Sequence, residues 1–179
     1  LLINLSASPF TTNKKEERSN VFAKISEKLN IPLIYVNQTG GQDELVFDGT
    51  SSVVNKQGDV TIELKSFATD SIQFSHEEIN KSSIKEKTSN RLKDLYDSLV
   101  LATKDYVEKN NFKGVLIGSS GGIDSALTAT IATDALGSDK VRTIMMPFKY
   151  TADISINDAA LLAKNLKINH QEIPIEMVY

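Results

Sequence analysis

The chain opens on an almost unbroken apolar run, Leu1-Leu2-Ile3-Asn4-Leu5, too short for a helix and of the kind that makes a buried strand. Over residues 15–29 the apolar positions Val21, Phe22, Ile25 and Leu29 recur at helical spacing. Pro32 closes that helix and opens a strand at Leu33-Ile34-Tyr35-Val36. A long loop follows, and residues 51–55 and 60–64 read as two strands joined in a hairpin through Lys56-Gln57-Gly58-Asp59. Residues 71–90 are polar, rich in Ser, Lys and Glu with few apolar anchors, which marks a linker.

Beyond the linker the rhythm is cleaner. Leu92, Leu95, Tyr96, Leu99, Val100 and Val107 make one face of a long helix over residues 91–110. A strand over 114–118, a loop of small residues and a helix over 123–136 capped by Gly137 come next. Residues 141–146 form a strand, 155–166 a helix with Ser155 as its N-cap, and 170–175 a third strand. Strand and helix in alternation imply parallel pairing with right-handed crossovers, an α/β arrangement. Ligands of such sheets bind beyond the carboxyl ends of the strands, where residues 119–124 fall.

Composition narrows the classes. With 179 residues, 40% hydrophobic and 24% charged, the chain is able to bury one good core or two modest ones. A net charge of -3 and a pI near 5.5 give no electrostatic footprint for nucleic acid. No apolar run approaches the roughly 20 residues that span a bilayer and no signal-peptide pattern opens the chain, so a cytoplasmic protein without membrane partners is expected. The chain has no cysteine, which excludes a disulfide, a thiolate metal site or a cysteine nucleophile within it. The apolar start without Met and the strand-like finish point to a segment of a longer protein.

The loop Ser119-Ser120-Gly121-Gly122 carries the chemistry. Set between a buried strand and a helix, it offers backbone N–H groups beside the positive end of the helix dipole, which suits an anion. A Walker loop would place Lys after the glycines, and a dinucleotide fingerprint would spread three glycines over six positions; neither pattern is present. Asp124, one step inside the helix, makes electrostatic sense beside phosphate when a divalent cation such as Mg2+ bridges the two. The plainer alternative is that Asp124 caps the helix and the glycines make a tight turn.

Residue order then adds a resemblance. Ser120-Gly121-Gly122-Ile123-Asp124-Ser125 resembles the SGGxDS loop of the ATP pyrophosphatases, a superfamily that includes GMP, asparagine, argininosuccinate and NAD synthetases. The flanks, Ala126-Leu127, Asp134-Ala135-Leu136-Gly137, Met146-Pro147 with Tyr150-Thr151, Ser155, Asp158-Ala159 and Leu162-Ala163, are similar to an NAD synthetase domain. Upstream, residues 4–10, Lys14 with Glu17-Arg18, Tyr35-Val36-Asn37 and residues 40–49 resemble the latter part of a nitrilase-like glutaminase domain, as joined in the glutamine-dependent NAD synthetases.

The resemblance implies a partial nitrilase-like α-β-β-α sandwich over residues 1–70, a linker over 71–90, and the start of a Rossmann-like parallel α/β nucleotide-binding domain over 91–179. It implies ATP bound by Gly118, Ser119, Ser120, Gly121, Gly122, Ile123, Asp124 and Ser125, Mg2+ held by Asp124, and glutamine bound by Ser8 and Lys14. On the residues alone, Ser8 beside Pro9 also suits a turn, and Lys14 a solvated cation. The implied reaction turns deamido-NAD into NAD with ammonia from glutamine, through an adenylated intermediate and release of pyrophosphate, in a homo-oligomeric enzyme. The family's Cys, Glu and Lys for glutamine hydrolysis fall upstream of residue 1, so the chain alone is expected to lack glutaminase activity and to hold no catalytic residue. A non-catalytic nucleotide-binding segment and another SGGxDS enzyme such as GMP synthetase are the competing readings.

Four departures stand out. Ser119 sits where the family is usually apolar, Phe148 and Ala152 replace hydroxyl residues, and Lys167 takes the place of a helix-ending Gly. The last costs roughly 1 kcal/mol if the backbone there is left-handed. Asp43, Glu44 and Asp48 form a possible carboxylate cluster without an assigned role, and His76 and His170 lack the neighbours that a metal site needs.

Overall fold

The computed structural model describes residues 1–80 and 90–176. Most of the expected linker, residues 81–89, and the last three residues lie outside the described part. The chain forms two compact units, Leu1–Ala102 and Thr103–Tyr179.

In the first unit, β1 (Leu2–Ser6) runs parallel to β2 (Leu33–Asn37), with α1 (Lys14–Leu29) between them in sequence. Antiparallel β5 (Ser52–Val54) and β6 (Val60–Glu63) complete a four-stranded sheet in the order β1-β2-β5-β6. One face is packed: Phe22 and Ile25 of α1 meet Leu2, Leu33, Tyr35, Val54 and Val60. The other face of β1 is not, since Leu1, Ile3 and Leu5 are exposed. The opening run is therefore a strand, but one buried on a single face.

Two further expectations change. Val21 and Leu29 keep helical spacing yet face solvent, and the buried side of α1 is Arg18, Phe22 and Ser26. The stretch expected to be a long loop contains a hairpin, β3 (Thr39–Gln42) against β4 (Leu45–Asp48), turned at Asp43 with φ 50°. The hairpin over residues 52–63 forms as expected. Its turn is tied by the Asn55 side-chain oxygen, which accepts from the N–H groups of Gln57 (3.0 Å) and Asp59 (2.9 Å). Within the expected linker, a short 3-10 turn, Glu78–Asn80, follows irregular chain and buries Ile79.

Helix α2 (Arg91–Lys109) matches its expected span and contains the division between the units, with Val107 buried but Leu92, Leu95 and Leu99 exposed. The second unit is a parallel sheet in the order β7-β8-β9, from β7 (Val115–Gly118), β8 (Val141–Met145) and β9 (Asn169–Glu172). Helices α3 (Ile123–Leu136) and α4 (Asp153–Leu166) supply its core. Small residues make that close packing possible: Ala129, Ala132 and Ala163 lie against Val141 and Ile168, while Ile123 stays outside at 81% exposure. Helix α4 begins earlier than expected. Ala152 is its N-cap, and Ser155 lies in the first turn with its N–H donated to Ala152 O at 3.0 Å. Strand β9 ends at Glu172 rather than Ile175, because Pro174 has no N–H to give the ladder; Ile173 and Ile175 still donate to Met145 O and Pro147 O. The whole is an α/β fold with parallel sheet elements.

Candidate functional site

Ser8 lies in the connection between β1 and α1, and Lys14 is the first residue of α1. The structure brings them to one pocket of about 290 Å3, lined by Ser6, Ser8, Lys14, Glu17, Arg18, Val21, Phe22 and Tyr35. Lys14 keeps an ammonium at the rim, 4.0 Å from Glu17 and partly exposed, so it is loosely paired and able to meet an anionic group. The connection that carries Ser8 is held at its far end by Phe10, whose N–H donates to Val46 O at 2.7 Å and whose ring meets Phe67 edge-on at 5.1 Å.

Behind this pocket lies a polar network that the sequence did not reveal. Asp48 is 3% exposed and Arg18 8%. The guanidinium donates to both carboxylate oxygens, Nη1 to Oδ1 at 2.9 Å and Nη2 to Oδ2, in a bidentate pair. Asp48 also accepts from Asn37 Nδ2 (3.3 Å) and Thr50 Oγ1 (2.9 Å), and Arg18 Nη1 donates to the Tyr35 hydroxyl at 3.2 Å. Both carboxylate oxygens and both terminal guanidinium nitrogens thus have partners, as a buried ion pair requires. Burial works against the Arg18 cation, but the hydrogen bond and charge of Asp48 hold its pKa above the ordinary value. Burial also pushes the Tyr35 phenol above its ordinary value, against the pull of the Arg18 charge. Thr50, a β-branched residue at φ 49°, is strained, and its hydroxyl is bonded to Asp48 and Ser66. Asp48 is therefore separated from Asp43 and Glu44, which sit exposed on the β3–β4 turn, and the three do not form one cluster.

In the second unit the small-residue loop leaves the carboxyl end of β7 and enters α3. Ser119 is buried, with its N–H on Ile144 O at 2.8 Å, which fixes the loop to β8. Two serine hydroxyls then close the turn. Ser125 Oγ accepts from Ser120 N (3.2 Å), lies 3.1 Å from Ser120 Oγ and donates to Gly122 O (3.0 Å), while Ser120 Oγ accepts from Gly122 N (3.2 Å). The N–H groups of Ile123, Asp124 and Ser125 open the helix and have no intrahelical acceptor, and Asp124 is exposed in that first turn. Gly122 is the N-cap and has no side chain to cap with, and Asp124 lies past that position, so the capping reading of Asp124 does not hold.

Gly121 has φ 76°, and a Cβ there would collide with the main-chain oxygen of Ser155 in the first turn of α4. Its glycine thus serves the contact between loop and α4 as well as the turn. Gly121, Gly122 and Ile123 also border a cavity of about 410 Å3 with Ala126, Asp158, Leu161, Leu162 and Asn165; the remaining loop residues do not line it. After β8, Phe148 and Tyr150 meet edge-on at 5.7 Å with Lys149 Nζ 4.9 Å from the Tyr150 ring centre, and Thr151 Oγ1 accepts from Phe148 N at 2.9 Å. His170 Nδ1 pairs with Thr143 Oγ1 at 2.9 Å, His76 is exposed, and among the described residues no three His, Asp or Glu gather as a metal site.

Comparison with known proteins gives the family. Residues 95–179 match the NAD synthase family. The chain is 42% identical over 168 residues, 92% of its length, to the glutamine-dependent NAD(+) synthetase of Acinetobacter baylyi, of which it covers 31%. It is 42% identical over 179 residues, 98% of its length, to that of Synechocystis, covering 32%. Among solved structures, a glutamine-dependent NAD+ synthetase of Acinetobacter baumannii in complex with adenosine diphosphate superposes on 99% of the chain with a TM-score of 0.91 and 37% identity, the match covering 35% of that protein. The chain spans about a third of the length of these relatives. A match that runs from the first unit through the second, at these identities, selects one family among those that share the SGGxDS loop: the chain belongs to the glutamine-dependent NAD(+) synthetases.

Proposed function

We propose that the protein carrying this chain is an ATP-dependent amide ligase that makes NAD from deamido-NAD. Ammonia comes from glutamine, and the carboxylate is activated as an adenylate with release of pyrophosphate. The observation that carries the reading is the turn at the carboxyl end of β7, where first-turn N–H groups of α3 and the hydroxyls of Ser120 and Ser125 converge. Gly118, Ser119, Ser120, Gly121, Gly122, Ile123, Asp124 and Ser125 are the segment that holds the phosphates, with charge stabilised as the bond to pyrophosphate breaks. The complex of the Acinetobacter baumannii relative with adenosine diphosphate supports an adenine nucleotide as ligand.

Asp124 suits Mg2+. A lone exposed carboxylate beside a phosphate site is the donor set that Mg2+ accepts, since this ion shares its shell between one or two carboxylates, phosphates and water. When bound there it supplies charge neutralisation between Asp124 and the phosphate oxygens. In the first unit Ser8 and Lys14 are the residues that bind glutamine. With no cysteine in the chain, the thiolate for glutamine hydrolysis comes from outside these residues. The same reading makes residues 1–70 the end of a nitrilase-like domain, 71–90 a linker and 91–179 the start of the synthetase domain of a cytoplasmic homo-oligomer.

The test is an assay of the full-length protein with deamido-NAD, ATP, Mg2+ and glutamine. AMP is expected to appear only when deamido-NAD is present, and Asp124→Ala is expected to slow its release by at least about a hundredfold. AMP release that does not depend on deamido-NAD, or none at all, ends the reading.

A further inference from the structure

A chain of hydrogen bonds in the first unit runs from Ser8 through Asn37, Asp48 and Arg18 to Tyr35. The Ser8 N–H donates to Asn37 Oδ1 at 2.8 Å, and Asn37 Nδ2 donates to Ser8 O at 3.2 Å, so one side-chain amide holds both main-chain groups of that residue. The same Nδ2 donates to Asp48 Oδ1 at 3.3 Å, and that oxygen accepts from Arg18 Nη1 at 2.9 Å. Arg18 Nη1 donates to the Tyr35 hydroxyl at 3.2 Å, and Tyr35 and Ser8 line the same pocket.

Each link has a chemical reason. Ser8 lies in no helix or strand, so its main-chain groups have no ladder to join, and they need a donor and an acceptor side by side. A carboxamide supplies that pair; a carboxylate of the same shape cannot donate. The carboxylate of Asp48 accepts only, so it fixes which end of the Asn37 amide carries the nitrogen, and the two hydrogen bonds from Arg18 hold that carboxylate in place. Buried ion pairs add little net stability compared with apolar side chains, and their best-attested value is geometric specificity. Here the specified geometry is that of a serine on the wall of a pocket.

We propose that Asn37 is a positioning residue for Ser8. The proposal rests on the reading of that pocket as the glutamine site. Asn37 itself does not line the pocket, so it acts through Ser8.

The experiment compares glutamine-driven with ammonia-driven NAD formation in the full-length protein. Asn37→Ala is expected to raise the KM for glutamine about tenfold, the effect of losing one or two buried hydrogen bonds, and to lower the ratio of glutamine-driven to ammonia-driven rate at low glutamine. Asn37→Ser, which keeps a polar side chain on β2 but is too short to hold both main-chain groups of Ser8, is expected to move KM in the same direction with a smaller change in Tm, and it decides the matter if Asn37→Ala does not fold. Ile79→Ala, a buried site outside the pocket, is expected to lower Tm while keeping KM within about twofold. If Asn37→Ala and Asn37→Ser shift only Tm, as Ile79→Ala does, while Ser8→Ala raises KM, Asn37 is structural and the proposal falls. If Ser8→Ala and Lys14→Ala leave KM where it was, the pocket is not the glutamine site and both readings fall together.

Discussion

At Lys167 the backbone stands at φ 57°, ψ 32°, the left-handed conformation that closes α4, with the Lys167 N–H directed at the carbonyls of Ala163 and Lys164. A side chain costs free energy in that conformation and glycine does not, which is why helices so often end on glycine. The cost expected from the sequence alone therefore applies here. Lys167→Gly is expected to raise the stability of the second unit by about 1 kcal/mol, read as a higher urea midpoint at unchanged slope. A lower midpoint would mean that the Lys167 side chain makes contacts worth more than the strain it imposes. Arg18 shows the opposite balance. Taken by itself it breaks the apolar stripe of α1, yet it is buried because Asp48, thirty residues away, answers its charge across two hydrogen bonds.

At the scale of elements, the two glycines of the β7–α3 turn do different work and should respond differently. Gly121 sits at φ 76° against the Ser155 carbonyl, whereas Gly122 has φ -87° and only the Ser120 hydroxyl near its missing Cβ. Gly121→Ala is expected to destabilise the second unit by about 1–3 kcal/mol, and Gly122→Ala by well under 1, measured by denaturant unfolding. Equal losses would sink this distinction. The contrast also explains what was legible in the sequence. The β7–α3 turn was, because strand, small residues and helix follow one another along the chain and their chemistry is local. Alternation of strand and helix likewise gave the parallel sheet of the second unit, including α3 at its observed bounds. The β3–β4 hairpin was not legible, since its strands are four residues each and one carries Gly40-Gly41 where an apolar pattern would mark it. Nor was the inward face of α1. Val21 and Leu29 fit the helical period better than Arg18 and Ser26 do, and only the distant Asp48 and Tyr35 make Arg18 the buried residue. Ser8 and Lys14 were marked by resemblance, but the Asn37–Asp48–Arg18–Tyr35 chain behind them draws on three elements, β2, β4 and α1, and has no sequence period.

For the molecule as a whole, the charge and the apolar surface pull against each other. Ile3 (59% exposed) and Leu5 (77%) lie in one row on β1, and Val36, the register partner of Leu5, lies beside them. Strand β1 ends the four-stranded sheet, so an apolar face adjoins an edge with hydrogen-bonding groups to offer, the combination that invites strand pairing between molecules. A net charge of -3 on 179 residues gives weak repulsion to set against it. The chain expressed by itself is therefore expected to self-associate, with an apparent mass in light scattering that rises with concentration. The double variant Ile3→Lys with Leu5→Lys places two charges on the edge strand and is expected to shift the population toward monomer without changing the far-ultraviolet circular dichroism, because neither side chain belongs to the Phe22–Leu33–Tyr35–Val54 core. If the unmodified chain stays monomeric at every concentration, the outer face of β1 is not an association surface and its apolar row has to be explained by local sheet propensity alone.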